Sequence, residues 1–205
     1  MNLNYSAEDR DMFIDPQRCI GCKACEAACA ECGTHRGVPM IHLDFYDRET
    51  TTKSGPTVCM HCDDPSCAAV CPADAIKRTE DGVVQSASKA RCISCSNCEI
   101  ACPFGVPNIY LESAQMMKCD MCYDRTSTGL RPMCATVCPS GAIYFGPRST
   151  IEKYRNNKPN NQFQFGEQLI TTKVYLMLDD ETTPVDLDVM DFMSSPALAG
   201  EEPWV

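Results

Sequence analysis

No apolar run in this sequence approaches the length of a membrane span, and no glycine-rich phosphate loop of the G-x-G-x-x-G or G-x-x-x-x-G-K-[ST] kind occurs in it. The first absence predicts a soluble or peripheral chain with no span of its own. The second argues against a nucleotide site. The opening MNLNYSAEDRDMF has neither a basic nor an apolar stretch, and no twin-arginine signal is seen, so no export signal is expected. The three histidines, His35, His42 and His61, are too scattered to form a catalytic constellation, and each is expected to be an ordinary surface or packing residue. Lysines and arginines do not cluster, and the formal charge is −10, which excludes nucleic acid as a partner. The acidity favours solubility and a basic docking surface instead.

What the chain has in excess is cysteine, 17 in 205 residues. That density means disulfides or metal, and without a secretory signal metal is the stronger reading. The organising stretch is CISCSNCEIACP, residues 92–103. Three cysteines at C-x-x-C-x-x-C, a fourth four residues later and then proline form the run that binds [4Fe-4S] clusters in bacterial ferredoxins. Three related runs accompany Cys92, Cys95, Cys98 and Cys102. They are Cys19, Cys22, Cys25 and Cys29; Cys59, Cys62, Cys67 and Cys71; and Cys119, Cys122, Cys134 and Cys138. Zinc sites usually take two C-x-x-C pairs a loop apart, without this register.

The spacing has a physical basis. Three closely spaced cysteines wrap a tight loop around one face of a cubane, so that successive backbone N–H groups can point at its anionic sulfurs. The fourth cysteine, about one helical turn further on, points away towards a neighbouring cluster. Proline after it stops the turn. The first run lacks that proline, and its short helix is expected to continue through Cys32. Cys32 falls outside the shared register and reads as a spare thiol, although by local position it could replace Cys29. Sixteen thiolates around four 2+ cores would bring the chain to about −18.

Around the runs, Phe13 and Ile14 begin a strand candidate after a polar arm, residues 40–46 alternate like a strand, and Asp81-Gly82 marks a hairpin turn. The 11 residues between Cys122 and Cys134 form a turn-rich excursion containing Gly129 and Pro132. CPADAIKR and CPSGAIYF repeat one pattern, cysteine-proline leading through Ala-Ile into a strand. The resulting expectation is an α+β fold of two nested ferredoxin-like modules in residues 1–148. Runs 19–29 and 119–138 form the outer module, and residues 50–112 form the inner one. Residues 149–205 form a C-terminal extension, expected as a partner-docking arm. Residues 169–178 have strand composition, and the acidic stretch beyond them reads as disordered or as ordering against a partner, with Met190, Phe192, Met193 and Trp204 as anchors. Met116, Met117, Met121 and Met133 are expected as apolar shell around the clusters. Lys118 and Arg91 precede cluster loops, where they would raise a local potential or be solvated charges.

HCDDPSCAAVCPADAI, CISCSNCEIACPFGVPNI and KCDMCYDRTSTGLRPMCATVCPSGAI resemble the four-cluster iron–sulfur subunits of the dimethyl sulfoxide reductase superfamily, over about residues 12–148. The resemblance implies that outer runs pair with each other and inner runs pair with each other. One cluster would take Cys19, Cys22, Cys25 and Cys138, and the next Cys119, Cys122, Cys134 and Cys29. The inner pair would take Cys59, Cys62, Cys67 and Cys102, and Cys92, Cys95, Cys98 and Cys71. Spacing alone does not choose this pairing. In related nitrate reductase subunits a tryptophan replaces one cysteine of the third run and that cluster is [3Fe-4S]. Here all four cysteines are present, so four [4Fe-4S] clusters are expected.

The implied role is electron transfer without catalysis, between a large molybdopterin or tungstopterin subunit and a membrane-anchor subunit or soluble carrier. A free polyferredoxin, or a cluster subunit of a hydrogenase or aldehyde oxidoreductase complex, would share the wire and differ in partner. Cytoplasmic residence is the default expectation. Membrane association through a partner, or export while bound to one, are the other routes.

Overall fold

A computed structural model of the chain describes residues 10–178, apart from 36, 47–48, 50 and 156–157. The polar arm before Arg10 and the acidic stretch after Leu178, with its four candidate anchors, lie outside the described residues. Strand β1 (Asp11–Ile14) is the centre of the molecule. Met12, Phe13 and Ile14 are almost wholly buried, because β1 is paired on both edges. On one side it runs antiparallel to β6 (Ile143–Gly146) and on the other parallel to β8 (Gln168–Leu178). Strand β7 (Lys158–Phe165) completes the sheet, antiparallel to β8, in the order β6-β1-β8-β7. The internal repeat thus places the entry strand of the first run beside the exit strand of the fourth.

Two ribbons flank this sheet. The first joins β2 (His42–Phe45) to β3 (Ser54–Thr57), within the stretch whose alternation predicted a strand. The second joins β4 (Asn108–Tyr110) to β5 (Gln115–Met117) and delivers the chain into the fourth run. The turn at Asp81-Gly82 forms as expected, with Gly82 N–H donating to Thr79 C=O and Thr79 N–H to Val83 C=O. The Ala-Ile exit of the second run forms an isolated bridge, Arg78 with Val84, in place of a full strand.

The helices are single short pieces, all but the last within or beside the cysteine runs. They are α1 (Ala24–Ala30), α2 (Ser66–Ala69), α3 (Asn97–Ile100), α4 (Tyr123–Thr126), α5 (Met133–Val137) and α6 (Arg148–Tyr154). Helix α1 does not continue through Cys32. It ends at Ala30, and the chain turns back through Cys32 N–H to Cys29 C=O and His35 N–H to Cys32 C=O. After this sharp return the His35 side chain lies inside the molecule. Among the described residues no helix is long and apolar enough to cross a membrane.

The core is organised around cysteine. One buried cluster groups Cys25, Cys29, Cys119 and Cys134 with Met12, Ile14, Met60 and Met121 among others. A second groups Cys67 and Cys98 with Ile76, Val84 and Met116. The described part of the C-terminal extension belongs to this architecture. Strand β8 pairs with β1 and also receives the second run, since Asp63 N–H donates to Thr171 C=O and Lys173 N–H to His61 C=O. β8 therefore links the sheet to the second cysteine run.

Candidate metal centres

All four cysteine runs begin with the same backbone device. The residue two positions after the first cysteine has a left-handed conformation in each: Gly21 (φ 70°), His61 (φ 50°), Ser94 (φ 53°) and Met121 (φ 57°). Alternation of left- and right-handed residues curls successive N–H groups towards one point, forming an anion-binding nest. Several N–H groups donate to cysteine sulfur, that of Met121 from the nest itself and the others from neighbouring segments. Met40 N–H reaches Cys29 Sγ at 3.2 Å, Ala75 N–H reaches Cys71 at 3.3 Å, Met121 N–H reaches Cys119 at 3.3 Å and Met116 N–H reaches Cys92 at 3.4 Å. The Ser54 hydroxyl adds a contact to Cys19 Sγ at 3.2 Å.

Three groups of four cysteines each line a common cavity. Cys19, Cys22, Cys25 and Cys138 line one cavity, which joins the first run to the end of the fourth. Cys59, Cys62, Cys67 and Cys102 line a second, and Cys92, Cys95, Cys98 and Cys71 a third. Cys119, Cys122, Cys134 and Cys29 are all buried, and the charges of Cys119, Cys134 and Cys29 act on one another. Soft all-thiolate donor sets with N–H groups aimed at sulfur fit iron–sulfur clusters. Several of the buried thiols are held protonated. Burial pushes Cys25 and Cys67 up to about 11 and Cys62 to about 12, and raises Cys119, Cys122 and Cys134 as well. Ligation must therefore displace protons.

The methionines behave as shell, with Met116, Met117 and Met121 buried and Met133 half-buried. Of the two cations beside cluster loops, Arg91 is exposed and paired with Asp74 at 3.2 Å. Lys118 is not solvated. It is 1% exposed, lines the cavity of Cys59, Cys62, Cys67 and Cys102, and donates to the carbonyls of Val84 and Cys119.

Two of the histidines are buried. The His61 Nδ1 accepts Val84 N–H at 2.9 Å, and burial, reinforced by nearby Lys118, Lys173 and Arg78, holds its ring neutral. His35 is more than a packing residue. Its Nδ1 lies 3.2 Å from Cys29 Sγ and 3.1 Å from Cys29 C=O, and its Nε2 lies 2.9 Å from Asp120 Oδ1. Burial works against charge on this ring, but Asp120 and Cys29 outweigh it and lift His35 to about 10. Asp120 is itself buried, which opposes its ionisation, yet His35 and the Thr34 hydroxyl keep its carboxyl below the usual range. Cys32 is buried beside this group, with the ligand atoms of Cys32, His35 and Cys122 within 4.8 Å of one another. The spacing Cys29-x-x-Cys32-x-x-His35 was the only trace of this arrangement in the sequence, and it extends no known cluster pattern.

Comparison with known proteins agrees with this geometry. A 4Fe-4S dicluster domain matches residues 50–148 and a 4Fe-4S binding domain matches residues 10–31. The chain is 38% identical over 157 residues to the Escherichia coli K12 protein named "Probable anaerobic dimethyl sulfoxide reductase chain YnfG", covering 70% of this chain and 74% of that one. It is 36% identical over 170 residues to the iron-sulfur subunit of the nitrate-inducible formate dehydrogenase of the same organism, covering 72% and 57%. It is 34% identical over 167 residues to that organism's formate dehydrogenase-O iron-sulfur subunit, covering 71% and 55%. With thiolate cavities and relatives in agreement, the chain belongs to the non-catalytic iron–sulfur subunits of the dimethyl sulfoxide reductase superfamily, which carry electrons to or from a molybdopterin catalytic subunit.

Proposed function

We propose that this chain is a four-cluster electron relay. Its ligand sets are Cys19, Cys22, Cys25 and Cys138; then Cys29, Cys119, Cys122 and Cys134; then Cys59, Cys62, Cys67 and Cys102; then Cys71, Cys92, Cys95 and Cys98. When bound, each [4Fe-4S] cluster accepts and releases one electron at a time. The observation that carries this reading is the convergence of cysteines from distant runs, such as Cys138 with Cys19, Cys22 and Cys25, on a common cavity.

The order of the sets is supported by neighbouring cysteines that feel one another across them. Cys25 acts on Cys134, Cys59 on Cys119, and Cys98 on Cys67. The two end sets each have an exposed cysteine, Cys22 and Cys95. Beside them Ile20 is 67% exposed and Ile93 65%. These two faces are the docking ends, one for a large molybdopterin or tungstopterin subunit and the other for a membrane-anchor subunit or soluble carrier. Residence in the cytoplasm, or at a membrane through the partner, is part of the same proposal.

Iron and acid-labile sulfide counted after anaerobic purification, with EPR of the reduced protein, test the relay. About sixteen of each per chain, with spin-coupled [4Fe-4S] signals, is the expected result. Stoichiometric zinc or disulfides would overturn it. A large pterin-containing protein is expected to co-purify; a monomer exchanging electrons with many enzymes would point to a free polyferredoxin.

A further inference from the structure

We propose that His35 raises the reduction potential of the cluster held by Cys29, Cys119, Cys122 and Cys134, by donating its Nδ1–H to the Cys29 sulfur while Asp120 fixes the ring. The inference rests on the four-cluster reading above and assigns a role to a residue outside every cysteine run.

The argument begins with what each ring nitrogen faces. Nδ1 is 3.2 Å from Cys29 Sγ and 3.1 Å from Cys29 C=O. A carbonyl only accepts, and a sulfur ligated as thiolate only accepts, so Nδ1 carries a hydrogen. Nε2 is 2.9 Å from Asp120 Oδ1, which also takes the Cys122 N–H at 3.0 Å and the Thr34 hydroxyl at 3.2 Å. An oxygen that already accepts from these two groups faces Nε2 as an acceptor, so Nε2 carries a hydrogen too. With both nitrogens protonated the ring is an imidazolium, and its hydrogen bond to sulfur is charge-assisted.

The ring is locked as well as charged. His35 is 1% exposed and Asp120 4%, and His35 lies inward after the turn that ends α1 at Ala30. Asp120 ties the ring to the fourth run through Cys122 N–H, so one carboxylate–histidine unit touches two ligands of a single cluster from segments 85 residues apart. Outer-shell carboxylate–histidine pairs orient and tune metal ligands in this manner. Reduction adds negative charge to a cluster, and a cationic donor on a ligand sulfur stabilises the reduced state, so its removal lowers that potential.

The test is EPR-monitored redox titration of the full anaerobic holoprotein as wild type, His35→Leu and His35→Asn, with iron counted in each. In His35→Leu one of four midpoints is expected to fall while three stay in place. In His35→Asn the same midpoint is expected to fall by less, because the amide N–H still reaches sulfur but carries no charge. Unchanged midpoints with about sixteen iron, or four midpoints moving together, overturn the proposal alone. If His35→Leu loses iron, His35→Asn decides, and an unchanged midpoint there overturns it. Wild-type iron well below sixteen overturns the relay reading and this proposal with it.

Discussion

Lys118 shows how one residue can serve folding and redox chemistry together. A lysine buried to 1% exposure is normally costly, yet here the ammonium satisfies Val84 C=O and Cys119 C=O and faces four cysteines. Its charge already acts on Cys67, where burial pushes the thiol up to about 11 and Lys118 partly offsets the push. Lys118→Met keeps the volume, removes the charge and strands two buried carbonyls. It is expected to cost about 2–4 kcal/mol of stability and to lower the midpoint of the Cys59, Cys62, Cys67 and Cys102 cluster. Anaerobic thermal unfolding and redox titration read the two effects separately. The sequence placed Lys118 beside a cluster loop but could not distinguish it from Arg91, which has the same position one run earlier and is solvated. That difference arises from the β4–β5 ribbon, a tertiary feature that cysteine spacing does not encode. His35 was hidden for a related reason, since its role needs Asp120, 85 residues away.

At the level of the elements, the cluster loops were the most legible part of the chain, because their geometry is set locally by spacing. The left-handed position after each first cysteine allows a direct check. Gly21 adopts φ 70° freely, whereas an added Cβ would lie 3.3 Å from the Phe45 ring. Gly21→Ala is expected to destabilise by about 1–2 kcal/mol, and Ser94→Gly, at φ 53°, to stabilise by up to about 1 kcal/mol. Denaturation of both variants under anaerobic conditions measures the contrast. The sheet was less legible. LITTKVYLML reads as a strand, but nothing in its composition indicates that it pairs with β1 and also bonds to the second run. Truncation tests this placement. A chain ending after residue 148 loses β8 and is expected to hold less iron, whereas one ending after Leu178 keeps every cysteine and every described strand and is expected to hold as much as the full chain. Equal iron in both truncations would show that β8 does not support the clusters.

Across the whole molecule, cysteines replace much of an ordinary core, so folding and cluster assembly are linked. Thiols held near 11 to 12, such as Cys25, Cys62 and Cys67, are protonated at neutral pH and must lose protons to bind iron. Reconstitution of the apo-protein is therefore expected to run faster at pH 9 than at pH 7, with proton release visible in weakly buffered solution. In the proposed relay the two docking ends carry exposed isoleucines, Ile20 and Ile93. Apolar side chains this exposed are natural contact points, and a charge placed on one is expected to weaken binding there by about tenfold. Ile20→Glu should therefore slow exchange with one partner and Ile93→Glu with the other. Each variant should leave iron content and the opposite exchange unchanged, as measured by stopped-flow reduction from either end. If one variant slowed both exchanges, a single face would serve both partners and the linear order of the four sets would fail.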